Sequence, residues 1–250
     1  MSGHSKWHSI KHKKGAADKA RGKLFAKLIK QIEVAARDGG GDLEGNATLR
    51  TMVQKARDSS VPADTIERAV KRGTGELEGV RYEPASYEGY AAGGVAVYVE
   101  CLTDNRNRTG QEIKNIFVRN GGSLAEPGAV AWQFERKGVV LIEKQAAGED
   151  DLMLAALDAG AEDIVDEGDT WRVTTAPTDL HAVRSSIEAA SIAITSADLT
   201  MLPTQTVPLT EEATARGVVR LVDALEDNDD VQSVYANFDI PDDVLQAVVA

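Results

Sequence analysis

Residues 139–202, VVLIEKQAAGEDDLMLAALDAGAEDIVDEGDTWRVTTAPTDLHAVRSSIEAASIAITSADLTML, decide the fold. Apolar runs and helix-forming stretches alternate along them, punctuated by turn residues. VVLIE (139–143) predicts a strand, 149–159 a helix, DIV (163–165) and TWRVTT (170–175) two strands, 179–190 a helix and 195–202 a last strand. Glu149, Asp150 and Asp151 mark the first helix start, where the dipole favours carboxylates. A β-α-β-β-α-β order is the ferredoxin-like pattern.

On the N-terminal side, GVAVYVECL (94–102) predicts a strand and 107–119 a helix ended by Gly121-Gly122. AVAWQF (129–134) predicts the next strand. Beyond Pro203 and Pro208, a helix over 210–226 and a strand at VQSVYANF (231–238) complete a second β-α-β-β-α-β set begun at residue 94. Upstream, a helix is expected from Ala16 to Arg37, ended by Gly39-Gly40-Gly41. Asn46 N-caps a second helix through Arg57, Ser59-Ser60-Val61-Pro62 forms a turn, and a third helix runs from Ala63 to Arg72. The expected fold class is α+β: an N-terminal three-helix domain followed by two ferredoxin-like α/β domains, one inserted in the other. The boundaries are 1–79 for a basic helical domain, 80–136 plus 204–250 for an α+β domain, and 137–203 for the inserted domain.

Composition bounds the function. The chain has 250 residues, 42% hydrophobic and 27% charged, enough for two or three small cores. No apolar stretch approaches the roughly 18 residues a membrane span needs. The N-terminus MSGHSKWHSIKHKKG lacks the apolar segment of a secretory signal. A cytoplasmic protein is expected. Cys101 is the single cysteine, which excludes an internal disulfide and a thiolate metal cluster; in VAVYVECL it reads as a small core residue.

Net charge is −12, but it is divided unevenly. Residues 1–80 carry 16 Lys+Arg and 10 Asp+Glu, a net +6, whereas 81–250 carry 12 and 30, a net −18. Such asymmetry points to a polyanion-binding end. Within a Debye length of about 8 Å the local patch outweighs the distant total.

The first helix carries the strongest signal. At about 100° per residue, Lys19, Lys23, Lys27 and Lys30 share one sector, while Leu24, Phe25, Leu28, Ile29 and Ile32 gather opposite. The expectation is a packed apolar face with four ammonium groups pointing together to solvent. Lys6, Lys11, Lys13, Lys14 and Arg21 enlarge the positive surface, which suits phosphates and counterion release. A plain solvated helix face is the alternative. His4, His8 and His12 recur every four residues around Trp7, but no acidic or cysteine ligand accompanies them, and no metal or other cofactor is expected. Trp7 either stacks on a base or packs against the helices.

Helices two and three sit about a short turn, as in a helix-turn-helix, and the third bears Arg68, Lys71 and Arg72. Asn, Gln and Ser are absent from 66–72, so phosphate contact is better supported than base reading. A further candidate is Thr103-Asp104-Asn105-Arg106-Asn107-Arg108-Thr109, between a strand and a helix. The helix N-terminus favours anions, Arg106 and Arg108 would reinforce it, and Asn105 and Asn107 would bond sugar or base. Alternatively Asp104 or Asn107 caps the helix and the arginines pair with nearby acids.

Enzyme templates fail: there is no G-x-x-x-x-G-K-[ST], H-E-x-x-H or G-x-S-x-G. Gly73-Thr74-Gly75 reads as a helix terminator, and His181 has no nucleophile near it in sequence. No catalytic residue and no small-molecule substrate are expected.

Several long strings resemble the YebC/PmpR family, which includes the mitochondrial translational activator of cytochrome c oxidase. They are GHSKWHSIKHKKGAADKARGKLFAKLIKQIEVAARDGG (3–40), RTMVQKARDSSVPADTIERAVKRGTGE (50–76), YEGY (87–90), VECLTDNRNRT (99–109) and NGGSLAEPGAVAWQFERKG (120–138). The resemblance implies a three-domain α/β fold, a cytoplasmic location and a regulator of gene expression. The partner it implies is DNA for a transcriptional regulator, or ribosomal RNA and the ribosome for a translation factor. Carried over by position, it points to Lys6, Trp7, Lys11, His12, Lys13, Lys14, Arg21 and Lys23, and to Asn105 through Arg108. The chain departs from the family pattern at Gly89-Tyr90-Ala91-Ala92-Gly93-Gly94, where GYGPGG is expected. It departs again at Ala125 to Trp132, where GTSGSVAW is expected.

Overall fold

The computed structural model describes residues 17–249, with side chains over 21–241 and 243–248. Among the described residues three helices come first: α1 (Ala17–Gly39), α2 (Ala47–Asp58) and α3 (Ala63–Thr74). Leu28 and Ile32 of α1 pack on Leu49 and Val53 of α2 and Ile66 of α3, all buried. Gly40, at φ +84°, ends α1 with its N–H on the Ala36 carbonyl. Asn46 caps α2 by accepting from the Leu49 N–H at 3.0 Å, while its amide donates to the Ala35 and Gly40 carbonyls at 2.8 Å. One buried amide therefore joins the end of α1 to the start of α2. Two guanidinium nitrogens of Arg72 converge on one Glu33 oxygen, at 2.5 and 2.6 Å, and lock α3 to α1.

The next unit is a four-stranded sheet. It contains β1 (Glu83–Tyr90), β2 (Ala96–Thr103), β3 (Ser123–Ala125) and β9 (Val231–Ala236), in the order β3-β1-β2-β9 and antiparallel throughout. Helices α4 (Arg106–Arg119) and α7 (Glu212–Glu226) cover one face, burying Val97, Val99, Ile113, Phe117, Val218, Leu221, Leu225 and Val234. Cys101 is buried in this core.

A second sheet is inserted between β3 and α7. Its strands β4 (Phe134–Glu143), β5 (Ala161–Asp166), β6 (Thr170–Thr175) and β7 (Ser196–Pro203) lie in the order β5-β6-β4-β7. Helices α5 (Glu149–Ala156) and α6 (Leu180–Ala189) close its core around Val140, Ile142, Leu152, Trp171, Val183 and Ile187. This is the ferredoxin-like arrangement expected for 139–202. Short strands β8 (Val207–Pro208) and β10 (Phe238–Asp239) pair in parallel, and α8 (Asp242–Val249) ends the described chain.

Two expectations about the first sheet are corrected. AVAWQF is not a strand: Ala131–Gln133 form a 3-10 turn and only Phe134 enters β4. The reason is Glu88, whose carboxylate accepts from the backbone N–H groups of Gly128 and Val130 at 2.7 Å and of Ala131 at 2.9 Å. Those amides are consumed by a side chain and cannot join a ladder. The set also begins earlier, at β1, whose EPASYEGY lacks the apolar alternation of a strand. The first sheet is thus β-β-α-β-α-β, with β1 filling the inner position that the third strand fills in the insertion. Gly89 permits this, because a Cβ there would lie 2.6 Å from the Phe117 ring and from the Ser123 carbonyl oxygen.

Phe134, Tyr98 and Tyr235 meet on the other face of the first sheet, with ring centroids 6.3–6.4 Å apart, where the insertion joins it. Among the described residues no helix is long and apolar enough to cross a membrane.

Candidate nucleic-acid interface

The lysine stripe of α1 does not face open solvent as a set. Lys23 Nζ donates to the carbonyl of Asp227 at 2.9 Å and to its carboxylate at 2.7 Å. Lys27 Nζ donates to the Glu226 carbonyl at 2.9 Å, and Lys30 Nζ to the Asp229 carbonyl at 2.9 Å and the Asp230 carboxylate at 3.1 Å. Lys30 also lies 5.0 Å from the Tyr82 ring centroid. The expectation of four ammonium groups pointing together to solvent is corrected at these three positions. Their partner is the C-terminal end of α7 and the turn after it, Glu226-Asp227-Asn228-Asp229-Asp230. A helix C-terminus leaves carbonyls unsatisfied and carries partial negative charge, so three cations and an acidic turn satisfy one another. Lys19 lies on α1, but its side chain is outside those described; Lys6, Trp7, Lys11, His12, Lys13 and Lys14, with the His4/His8/His12 series, lie outside the described residues.

The 103–109 loop meets the same turn. Asn105, rather than Asp104 or Asn107, caps α4 by accepting from the Arg108 N–H at 3.1 Å. Arg108 donates to Asp104 at 2.8 Å and Asp230 at 2.7 Å, and Thr109 Oγ1 reaches Asp230 at 2.7 Å. Arg106 bonds the Pro84 carbonyl at 2.7 Å and lies 3.5 Å from Glu83, while Asn107 is exposed. Of the two alternatives for this loop, the structure displays local capping and pairing with acids, because Asp230 is brought alongside from 122 residues downstream.

Asp230 is the hub that sequence reasoning missed. Burial alone would push its carboxyl up, but hydrogen bonds from Arg108, Thr109 and Lys30 outweigh it and hold the group below the usual carboxylate range. Glu88 behaves alike: burial raises it, and the backbone N–H donors of Gly128, Val130 and Ala131 bring it lower. The signal available in sequence was the acid run closing a predicted helix; nothing there named its partners.

On α3, Arg68 pairs with Asp64 at 3.2 Å, Lys71 with Glu67 at 2.6 Å, and Arg72 turns inward to Glu33. The helical unit also touches the insertion through Lys55–Asp198 at 2.7 Å and Asp58–Arg184 at 3.4 Å. Arg21 is exposed and lines a depression with Phe25, Asp58, Ser59 and Ser60 at the N-terminal end of α1.

Residues 5–76 match the model of the TACO1/YebC protein N-terminal domain, and 82–238 match that of the TACO1/YebC second and third domain. The chain belongs to the TACO1/YebC family. A relative from Thermobifida fusca is 57% identical over 249 residues, covering 99% of this chain and 100% of the relative. One from Halothermothrix orenii is 53% identical over 250 residues, with 99% of each chain covered. Both are named probable transcriptional regulatory protein. The crystal structure of a conserved hypothetical protein from Aquifex aeolicus superposes with a TM-score of 0.83 at 44% identity, covering 92% of this chain and 94% of that one. In TACO1/YebC terms, Lys23, Lys27 and Lys30 belong to the N-terminal match, whereas Asp227 and Asp230 lie in the second-and-third-domain match. The lysine–acid bonds therefore join the two matched regions.

Proposed function

We propose that this chain is a non-enzymatic, cytoplasmic, nucleic-acid-binding regulator of gene expression, of the transcriptional kind for which its relatives are named. The observation that carries the proposal is the division of the basic side chains along the N-terminal part. Lys23, Lys27 and Lys30 are taken by the acidic turn, which anchors α1 to the body. The basic residues before them, Lys6, Lys11, Lys13, Lys14, Lys19 and Arg21, with Trp7 and His12, form the contact with the partner. Residues 1–20 hold five lysines against one aspartate, a charge density suited to phosphates. In this scheme 1–79 contacts the partner, 80–136 with 204–250 holds α1 in place, and 137–203 is a separate acidic unit.

A second reading is an RNA-binding, ribosome-associated translation factor. It is favoured by α3, where Arg68, Lys71 and Arg72 are each paired with an acid, so the helix that would read base edges offers phosphate contact at most.

The test uses the full chain with Lys6, Lys11, Lys13 and Lys14 changed together to Gln. Binding to a promoter duplex, a scrambled duplex and purified ribosomes is measured against salt. Transcriptional regulation requires promoter preference of about 10³-fold or more at physiological salt. Equal affinity for both duplexes with variant-sensitive ribosome cosedimentation selects the translation reading. Binding to none of the three, or binding indifferent to salt and to the substitutions, overturns the proposal.

A further inference from the structure

The inserted unit carries a distinctive surface outside the residues proposed to contact nucleic acid. Residues 137–203 hold 4 basic and 13 acidic side chains, a net −9. On α5, Leu152 and Ala156 are fully buried in the core, and Ser186 of α6 bonds the Ala155 carbonyl at 2.6 Å, which fixes the inward face. The outward face is apolar at its centre: Leu154 is 82% exposed, Leu157, at the helix C-cap, 50% and Met153 38%. Single exposed apolar residues are ordinary, but three along one short helix form a patch.

The patch has an acidic border. At about 100° per residue, Leu154 lies one turn after Asp150 on α5, with Asp151 on the flank of the same sector, and Leu157 and Asp158 follow in the turn that ends the helix. Glu149, Asp150, Asp151 and Asp158 are all exposed, and among the described residues none has an ion-pair partner. Charge complementarity decides what fits. A polyanion is repelled. A neutral apolar surface would strip water from several carboxylates without compensation. A cationic amphipathic segment matches both features, its apolar side chains covering Leu154 and Leu157 and its ammonium or guanidinium groups meeting the border.

We infer that the outward face of α5 is a docking surface for a Lys/Arg-rich amphipathic helix of a partner protein. This goes beyond nucleic-acid binding and does not depend on it: the carboxylates bordering the face disfavour a polynucleotide there. It gives the acidic half of the chain an adaptor role.

The probe is a fluorescein-labelled amphipathic peptide with Leu at helical i, i+3, i+4 and i+7 positions and Lys elsewhere, titrated with the full chain in the absence of nucleic acid. Changing Leu154 and Leu157 together to Ser weakens binding about tenfold or more, as does replacing the peptide leucines with Ser. Changing Asp150, Asp151 and Asp158 to Asn weakens it similarly and flattens its salt dependence. Circular dichroism and thermal melting show that each variant is folded. Because Leu154 is largely and Leu157 half exposed, the Ser pair keeps a melt close to wild type, which separates a docking role from a folding one. The inference is overturned if the peptide binds wild type and the Ser pair equally, or binds neither. It is overturned too if sedimentation shows a dimer that the Ser pair abolishes, which would make a second copy the occupant.

Discussion

Lys30 and Asp230, separated by 200 residues in sequence, meet at 3.1 Å with 15% and 7% of their side chains exposed. This is a sheltered pair within a network, unlike the exposed pairs of α3, whose contributions are small. Asp230 is satisfied from three sides, by Lys30, Arg108 and Thr109, so a single carboxylate holds α1, α4 and the end of α7 together.

Asp230→Ala removes the acceptor that Lys30, Arg108 and Thr109 share, while Lys30 keeps the Asp229 carbonyl and the partly exposed Arg108 keeps Asp104. Losing these hydrogen bonds to one carboxylate is expected to cost about 1–3 kcal/mol of stability. Asp230→Asn, which keeps an acceptor oxygen, costs less. Urea denaturation of both variants checks the ranking. Equal stability of Asp230→Ala and wild type would show that the network contributes nothing.

Acid should loosen the same joint. Asp230 and Glu88 both have folded-state values below their ordinary ones. A depressed carboxylate contributes stability that is fully present above its unfolded value, about 4, and is lost as pH falls through the folded value. The urea midpoint is therefore expected to be level from pH 7 to about pH 5 and to fall below about pH 4. The double variant Asp230→Asn with Glu88→Gln should start lower and fall less steeply over that range.

Glu88→Gln tests the loop whose sequence resembles a strand. One amide oxygen cannot replace two carboxylate oxygens serving Gly128, Val130 and Ala131, and the new NH₂ faces donors. A loss of about 1–3 kcal/mol is expected. Hydrogen exchange should quicken at those three amides while the α6 amides keep their wild-type protection. Unchanged exchange would show that the loop holds its shape without the carboxylate.

The two sets of lysines should separate by experiment. Lys23, Lys27 and Lys30 changed together to Gln uncap the end of α7, so the melting temperature falls and protease cuts more readily near residues 76–82. Lys6, Lys11, Lys13 and Lys14 changed to Gln leave the melt unchanged. They reduce the salt slope of binding to duplex DNA by roughly 0.9 for each phosphate that is no longer neutralised. A melt shift from the second set and none from the first would reverse the two roles.

Much of the fold was legible because it is written in local patterns. The apolar face of α1, the Asn46 cap, the glycine stop at Gly40 and the β-α-β-β-α-β order of 139–202 each depend on residues within a few turns of one another. β1 escaped because EPASYEGY has a strand's place without a strand's apolar alternation; its inner position is made by Gly89 against Phe117 and by Glu88 beneath a loop. AVAWQF misled for the converse reason, since apolar composition does not say where the amides bond.

The candidate interface divides the same way. Local sequence is enough to collect positive charge in the N-terminal part, to put Lys23, Lys27 and Lys30 on one helix face and to end α7 in an acid run. That this face and that run meet, across about 200 residues of chain, is a product of the folded packing. Helical periodicity is local, whereas the partner of a charge is whichever opposite charge the packing of distant apolar cores brings within a few ångströms.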